Sequence, residues 1–415
     1  MQSHKIIVIG AGIVGVSTAL WLRRAGHHVT LIDKGEPGMG ASYGNAGLLA
    51  RCASAPISFP GMWHKAPGYL LNPDFPLFLR WPYLPRIAPW LFQLLANSSD
   101  KQTRHITQAV GGVISDSVDQ HKDLTAGTEA AKYIVESEYA FAYKDRKTLD
   151  KDAYTWELKA STGFVPRVLE RGAVQEYDPN FGPEIGALAV FKDHGYITNP
   201  AAYVAALAAQ LQKEGGTFVQ TQARDLEMTD GRVTGVITAS GVLPCERAVI
   251  TSGAWSKPLC ARLGIKVPLE TERGYHLLLK NPSFMPRNPL MVSSGKFALT
   301  PMEHGLRCAG IVELGGLEAG PSEGPLRLLR KHLKTTFPTL TWEDEEEWMG
   351  FRPTLPDSIP MIGEINASGV YAGFGHQHIG LTAGPKTGRL LAEEITYGIS
   401  NVDLSPYDPT RFTNR

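Results

Sequence analysis

The chain has 415 residues, more than one ordinary core accommodates, so two domains are expected. It is 43% apolar and 20% charged, with 41 basic against 41 acidic residues, and a net charge of zero gives no electrostatic case for nucleic acid or for an anionic membrane. No apolar run is long enough to span a membrane, and four widely spaced cysteines (Cys52, Cys245, Cys260, Cys308) without C-x-x-C indicate neither a disulfide framework nor a zinc site. The expectation is a cytoplasmic protein with reduced thiols, no cleavable leader ahead of its first strand, and no metal.

Residues 5–33, KIIVIGAGIVGVSTALWLRRAGHHVTLID, carry the densest information. Ile6–Ile9 is a short apolar strand. Gly10, Gly12 and Gly15 follow at G-x-G-x-x-G spacing. Val14 to Arg24 predicts a helix, and Val29 to Ile32 a second strand ending at Asp33. This is the first βαβ unit of a dinucleotide-binding domain. Gly10 allows the tight turn, Gly12 lets a pyrophosphate approach the backbone, and Gly15 lets helix and strand pack closely. Ile13 and Val14 open the helix, whose free N–H groups and positive dipole face the phosphates. Asp33 accepts from ribose hydroxyls and repels a 2′-phosphate; Lys34 follows it at the same site.

Farther along, Gly38 to Gly47 is rich in small residues that let the backbone run beside a ligand. Residues 56–98 change character, with many prolines and large apolar side chains such as Trp63, Phe75, Trp81, Trp90 and Phe92. Two readings stay open there: a partly helical cover over a substrate cavity, or an apolar patch for a membrane surface or partner. Residues 103–124 and 200–213 predict helices, the latter opened by Asn199-Pro200. Thr217–Thr221, the hairpin near Gly231 and Ala248–Ser252 predict strands returning to the nucleotide domain. Residues 265–348 predict mixed strands with one amphipathic helix near Leu326–Thr336. Last comes Gly350-Phe-Arg352-Pro353, then Gly375-His376-Gln-His378-Ile379-Gly380-Leu381-Thr382 and a helix from about Pro385 to Glu394. A second glycine-rich turn before a helix suits a ligand longer than one nucleotide, such as FAD.

These pieces together resemble the FAD-dependent D-amino-acid oxidase and dehydrogenase superfamily, with its glycine and sarcosine oxidases, and most of all bacterial D-amino-acid dehydrogenases. The resemblance rests on the N-terminal glycine unit, Ala41-Ser-Tyr-Gly-Asn-Ala-Gly47, Ser252-Gly253-Ala-Trp255, Gly350-Phe-Arg352-Pro353 and Gly375 to Thr382, and covers residues 5 to about 395. It implies an α/β fold: a Rossmann-like FAD domain of the glutathione-reductase type (residues 1–55, 150–260 and 349–415) beside a discontinuous mixed-sheet substrate domain (56–149 and 261–348). It implies non-covalent FAD. Ala41, Ser42 and Asn45, Ala46, Gly47 and Leu48 would run past the ribityl chain and flavin. Ile379, Gly380, Leu381 and Thr382 would meet the pyrimidine end, with Gly350 and Gly375 nearby. Ser252, Gly253 and Trp255 would lie at the ADP half, and Arg224 near adenine. The family often carries Glu where this chain has Asp33; the shorter acid is still an acceptor.

The resemblance makes Arg352 the anchor of a substrate carboxylate, a task that suits a planar, permanently charged guanidinium. Tyr275 would add a hydrogen bond to that carboxylate, with a core tyrosine as the alternative. Arg273 is a second anion contact or a solvated strand residue. His376 shapes the pocket or bonds substrate; His376 and His378 lack further ligands at metal spacing. Residues 343–347 are a solvated acidic face, Asp357 caps a turn, and Cys308 is a buried thiol. The expected reaction is hydride removal from Cα of a D-amino acid to flavin, with a small or cyclic substrate such as D-proline or hydroxy-D-proline. The electron acceptor would be a quinone or other carrier, or oxygen. Alternatives are a secondary-amine oxidase, an electron-transferring subunit of a heteromeric dehydrogenase, or a flavin-free NAD enzyme. Peripheral contact with the inner membrane face and the oligomeric state stay open.

Overall fold

The computed structural model describes residues 2–72 and 74–413. Lys5–Ile9 lies inside a six-stranded sheet, paired in parallel with His28–Asp33 on one side and Arg247–Ile250 on the other. Thr217–Gln220 extends the sheet past His28–Asp33. Val370–Phe374 and then Met361–Glu364 extend it past Arg247–Ile250. Ile6 to Ile9 are all buried, because layers cover both faces of this parallel core; hence the unbroken apolar run in the sequence. Four distant parts of the chain thus build one sheet.

The Ile13–Arg24 helix packs against a C-terminal helix, Gly380–Tyr397. Gly388 makes the contact close: a Cβ there would stand 2.6 Å from the amide nitrogen of Thr18. The C-terminal helix starts five residues before the expected position, with Pro385 inside it. Proline has no N–H for the carbonyl of Leu381, four residues back. That carbonyl bonds instead with Nε2 of buried His121 at 2.9 Å, whose Nδ1 meets the Tyr203 hydroxyl at 2.7 Å. The helix therefore tolerates its proline without an orphaned acceptor.

A ten-stranded mixed sheet forms the second layer system. Along it run Asp344–Thr354, Glu270–Lys280, Gly305–Leu314, Phe297–Met302, Leu290–Val292, Ile134–Tyr143, Ala187–Ile197 and Leu48–Leu49, with Leu77–Leu79 and Arg167–Glu170 paired off this path. Arg167–Glu170 and Ala187–Ile197 fall within residues 150–260, which the sequence placed with the nucleotide unit. They belong to the large sheet because Ala187–Ile197 pairs antiparallel with Ile134–Tyr143, a partner the local pattern does not reveal. For the same reason Asp344–Thr354 reaches past residue 349 in the large sheet, along Glu270–Lys280. Within residues 56–98, Ile87, Trp90 and Leu94 of the Leu84–Ala96 helix pack on Leu314, while Trp63, Leu71, Trp81 and Phe92 stay exposed. Among the described residues no helix is long and apolar enough to cross a membrane.

Burial leaves several histidines neutral. It pushes His121 and His194 down to about 4 and His276 and His376 to about 3. An unfolded chain takes up these protons below about pH 6.5, whereas the fold does not until its own lower values are reached, so their stabilisation is lost as pH falls. Glu272, raised to about 7 by burial, and Glu394, also raised by burial, work the other way but are outnumbered by the histidines. We expect the midpoint of thermal unfolding to be several degrees lower at pH 5 than at pH 7.5. An equal or higher midpoint at pH 5 would refute this account of the buried imidazoles.

Candidate active site

The C-terminal ends of the parallel strands open into one elongated cleft of about 730 Å³, which runs on to the large sheet. At one end lie Gly10, Gly12, Ile13, Val14, Asp33, Lys34, Arg224, Ser252, Gly253 and Trp255; Ala41, Ser42, Asn45 and Ala46 line its middle; Gly350, Arg352, His376, Gly380 and Leu381 line the far end. Gly15, Gly47, Leu48, Gly375, Ile379 and Thr382 are not part of this lining; Thr382 donates its hydroxyl to the Leu48 carbonyl at 3.0 Å.

The three glycines of the first turn have different reasons to be glycine. At Gly10 (φ 112°) a Cβ would lie 2.7 Å from the Thr251 carbonyl oxygen, and at Gly15 it would overlap the Gly10 carbonyl. Folding itself requires these two. Gly12 has φ −75° and ψ 179°, open to any residue, and a Cβ there meets only Ser42 Oγ at 3.5 Å. Nothing in the protein around Gly12 demands a bare residue there, and it lines the cleft. Asp33 is fixed by two backbone donors, Ala11 N–H to Oδ2 at 2.7 Å and Gly35 N–H to Oδ1 at 2.9 Å, and each oxygen retains lone-pair capacity. Lys34 Nζ sits 4.2 Å from the centroid of Trp255 at the same end. These residues fit an adenine dinucleotide whose other half reaches the start of the C-terminal helix.

At the far end, Glu270–Lys280 pairs with Asp344–Thr354 in a register that puts Glu272 opposite Arg352, Gly274 opposite Gly350 and His276 opposite Trp348. Side chains alternate between faces, so these six share one face. The Arg352 guanidinium lies over Gly274, in the space where a Cβ would be 2.5 Å from its Cζ. It has no hydrogen-bond or ion-pair partner among the described residues; burial lowers its pKa and the Glu272 carboxylate opposes this. The His276 ring stacks on Trp348 at 5.1 Å.

Tyr275 borders the cleft, but its hydroxyl, like the Arg273 guanidinium, is engaged on the opposite face of the sheet and not with the expected substrate carboxylate. The Tyr275 hydroxyl donates to Glu313 Oε2 at 2.6 Å and accepts from the Ser322 N–H at 3.0 Å, and Arg273 pairs with Glu313 at 2.8 Å. Tyr275→Phe is therefore expected to cost about 1–3 kcal/mol of stability and leave the substrate KM within about twofold, since the group lost lies behind the sheet. A much raised KM in a stable variant would reverse that placement. His376 is also committed elsewhere: its Nε2 meets Thr387 Oγ1 at 2.9 Å and the ring is buried. His378 is the imidazole open to the cleft. Its side chain is solvent-accessible from the cleft; desolvation by the surrounding protein, with the Arg352 and Lys159 charges, lowers its pKa.

Among the described residues, none of 56–98 lines the cleft. None of the four free thiols lines it either, and no cluster of three metal-ligating side chains occurs among the described residues. Sequence reasoning missed Trp348, His276, Glu272 and Arg307, none of which stands in a local motif.

Residues 5–394 match the family described as FAD dependent oxidoreductase, and the chain belongs to that family; FAD is its cofactor. Among its relatives is a protein named D-amino-acid oxidase from Bradyrhizobium diazoefficiens, 38% identical over 420 residues and 99% of each chain. Another, named D-amino acid dehydrogenase, from Methylobacterium nodulans, is 33% identical over 94% of this chain and 95% of its own. Among solved structures, the L-proline dehydrogenase from P. horikoshii has a TM-score of 0.74 at 22% identity over 100% and 98% of the two chains, and so shares the fold.

Proposed function

We propose that this protein is an FAD-dependent D-amino-acid dehydrogenase. The observation that carries this reading is the unpartnered Arg352 guanidinium, held over Gly274 at the far end of the FAD cleft. It matches an α-carboxylate and leaves Cα to be presented to the cofactor. The relatives' names favour the D configuration and an amino-acid substrate. FAD, when bound, supplies the hydride acceptor. The chain's own part is binding and orientation. Arg352 holds the carboxylate, and the Trp348 ring lines the site on the same sheet face with buried His276 stacked behind it. The substrate ammonium must lose a proton before hydride leaves Cα, and His378 is among the residues lining the same cleft. The imine then hydrolyses to a 2-oxo acid.

The aromatic wall suits a small or cyclic side chain, with D-proline and hydroxy-D-proline as the first compounds to try. Exposed Trp63, Leu71, Trp81 and Phe92 support the reading that residues 56–98 meet a membrane surface, where a quinone would take the electrons. The relative named as an oxidase favours a second reading, with oxygen as acceptor. Turnover of D-proline measured with a quinone analogue and with oxygen separates the two: a dehydrogenase turns over at least tenfold faster with the quinone. Equal or faster turnover with oxygen supports the oxidase, and no turnover of any D-amino acid with either acceptor rejects the proposal.

A further inference from the structure

Arg307 is a buried cation that nothing above explains. It stands on the Gly305–Leu314 strand, opposite Leu278 and therefore on the face that carries His276. Only 7% of it is exposed. Among the described residues no carboxylate is in ion-pair contact with it; the acidic groups it feels are the Tyr43 phenol and then Glu346, which is paired with Lys280 at 3.0 Å. Its Nε has no partner. Neighbouring His276 is neutral and supplies no counter-charge. A buried, unpaired guanidinium is costly, so its retention calls for a negative charge that arises nearby during function.

The contacts Arg307 does make point to where. Its Nη1 donates to the carbonyl oxygens of Tyr43 at 3.0 Å and Asn45 at 2.7 Å, and His276 Nδ1 meets the carbonyl of the intervening Gly44 at 3.1 Å. Three successive carbonyls are thus bound from the sheet side. Among the described residues the amide N–H groups of Gly44 and Ala46 have no protein partner, and both residues line the cleft. Gly44 also lies against Trp348, next to Gly350, which places this segment at the Arg352 end. Oriented backbone donors with a cation behind them form a fixed positive field toward that part of the cleft.

We propose that Arg307 is a positioning residue for the flavin: with His276 it holds residues 43–45 so that their donors face the cleft, and its charge stabilises the negative charge of the reduced ring. This requires FAD in the cleft but not the substrate assigned above, so the two readings fail separately.

The test uses the FAD-loaded protein and needs no amino acid. Sulfite affinity and the flavin midpoint potential both report stabilisation of negative charge on the ring. Arg307→Gln should bind sulfite about tenfold more weakly, and its midpoint should fall by about 30 mV, the equivalent of tenfold for a two-electron couple. Arg307→Lys keeps the charge and should stay within threefold of the parent. Two results overturn the proposal: a Gln variant with the parent's sulfite affinity and potential, or a Lys variant that loses as much as the Gln variant. Should Arg307→Gln not fold, the Lys variant decides alone, with a threefold or smaller change in support and a tenfold loss against.

Discussion

Arg352→Met is expected to remain a folded, yellow protein that has lost about 10- to 100-fold in kcat/KM for amino acids, the equivalent of about 1.5–3 kcal/mol for a charge-assisted bidentate contact. Removing the guanidinium breaks no hydrogen bond or ion pair within the protein among the described residues, so the fold should tolerate the change. The neighbouring carboxyl sharpens the expectation. Glu272 is buried across the strand pair, and the Arg352 charge is what holds its pKa down against desolvation. In the Met variant Glu272 should therefore be protonated up to higher pH and remain neutral, which limits the structural cost of losing its counter-charge. Arg352→Lys keeps a charge but loses the planar fork, and should recover only part of the affinity. Steady-state kinetics with a carboxylate-bearing substrate check both variants. Unchanged kcat/KM in Arg352→Met would mean that the anchor lies elsewhere.

The second large effect is at Gly12. Its backbone conformation accepts any residue, and the space beyond its Cα belongs to the cleft. Gly12→Val should fold normally and bind FAD at least tenfold more weakly, because the new methyl groups occupy the path of the pyrophosphate over the helix N-terminus. Flavin content after purification and an FAD titration of the apoprotein measure this directly. Gly15→Ala gives the contrast: its Cβ would overlap the Gly10 carbonyl, so it should damage the fold together with the cofactor site. A Gly12→Val protein that purifies with full flavin would show that the turn does not carry the phosphates.

How much could be read in advance follows from the range of the interactions. Residues 5–33 were legible because strand, turn, helix and strand are contiguous, although Gly10 answers to distant Thr251 as well as to the turn. The place of Arg352 in the cleft was legible from its motif and the resemblance that goes with it. Tyr275 was misplaced for a specific reason. In a strand, one step in sequence turns the side chain to the other face, and nothing local tells whether Tyr275 or its neighbours Gly274 and His276 look into the cleft. The register with Asp344–Thr354 decides it: the guanidinium of Arg352 needs the bare face of Gly274. Trp348, His276 and Arg307 come together only when three strands, Glu270–Lys280, Gly305–Leu314 and Asp344–Thr354, lie side by side. The start of the C-terminal helix was hidden by Pro385, because the donor that compensates for it, His121, is 264 positions away in sequence by the numbering of the two residues.

The most direct test of the account is an anaerobic absorbance titration of the purified flavoprotein with D-proline, D-alanine and their L-enantiomers. It predicts that a D-amino acid bleaches the flavin band stoichiometrically while its mirror image does not, and that Arg352→Met needs at least tenfold more substrate for the same bleaching. Full reduction by L-amino acids alone, or a flavin that no amino acid reduces, would contradict it.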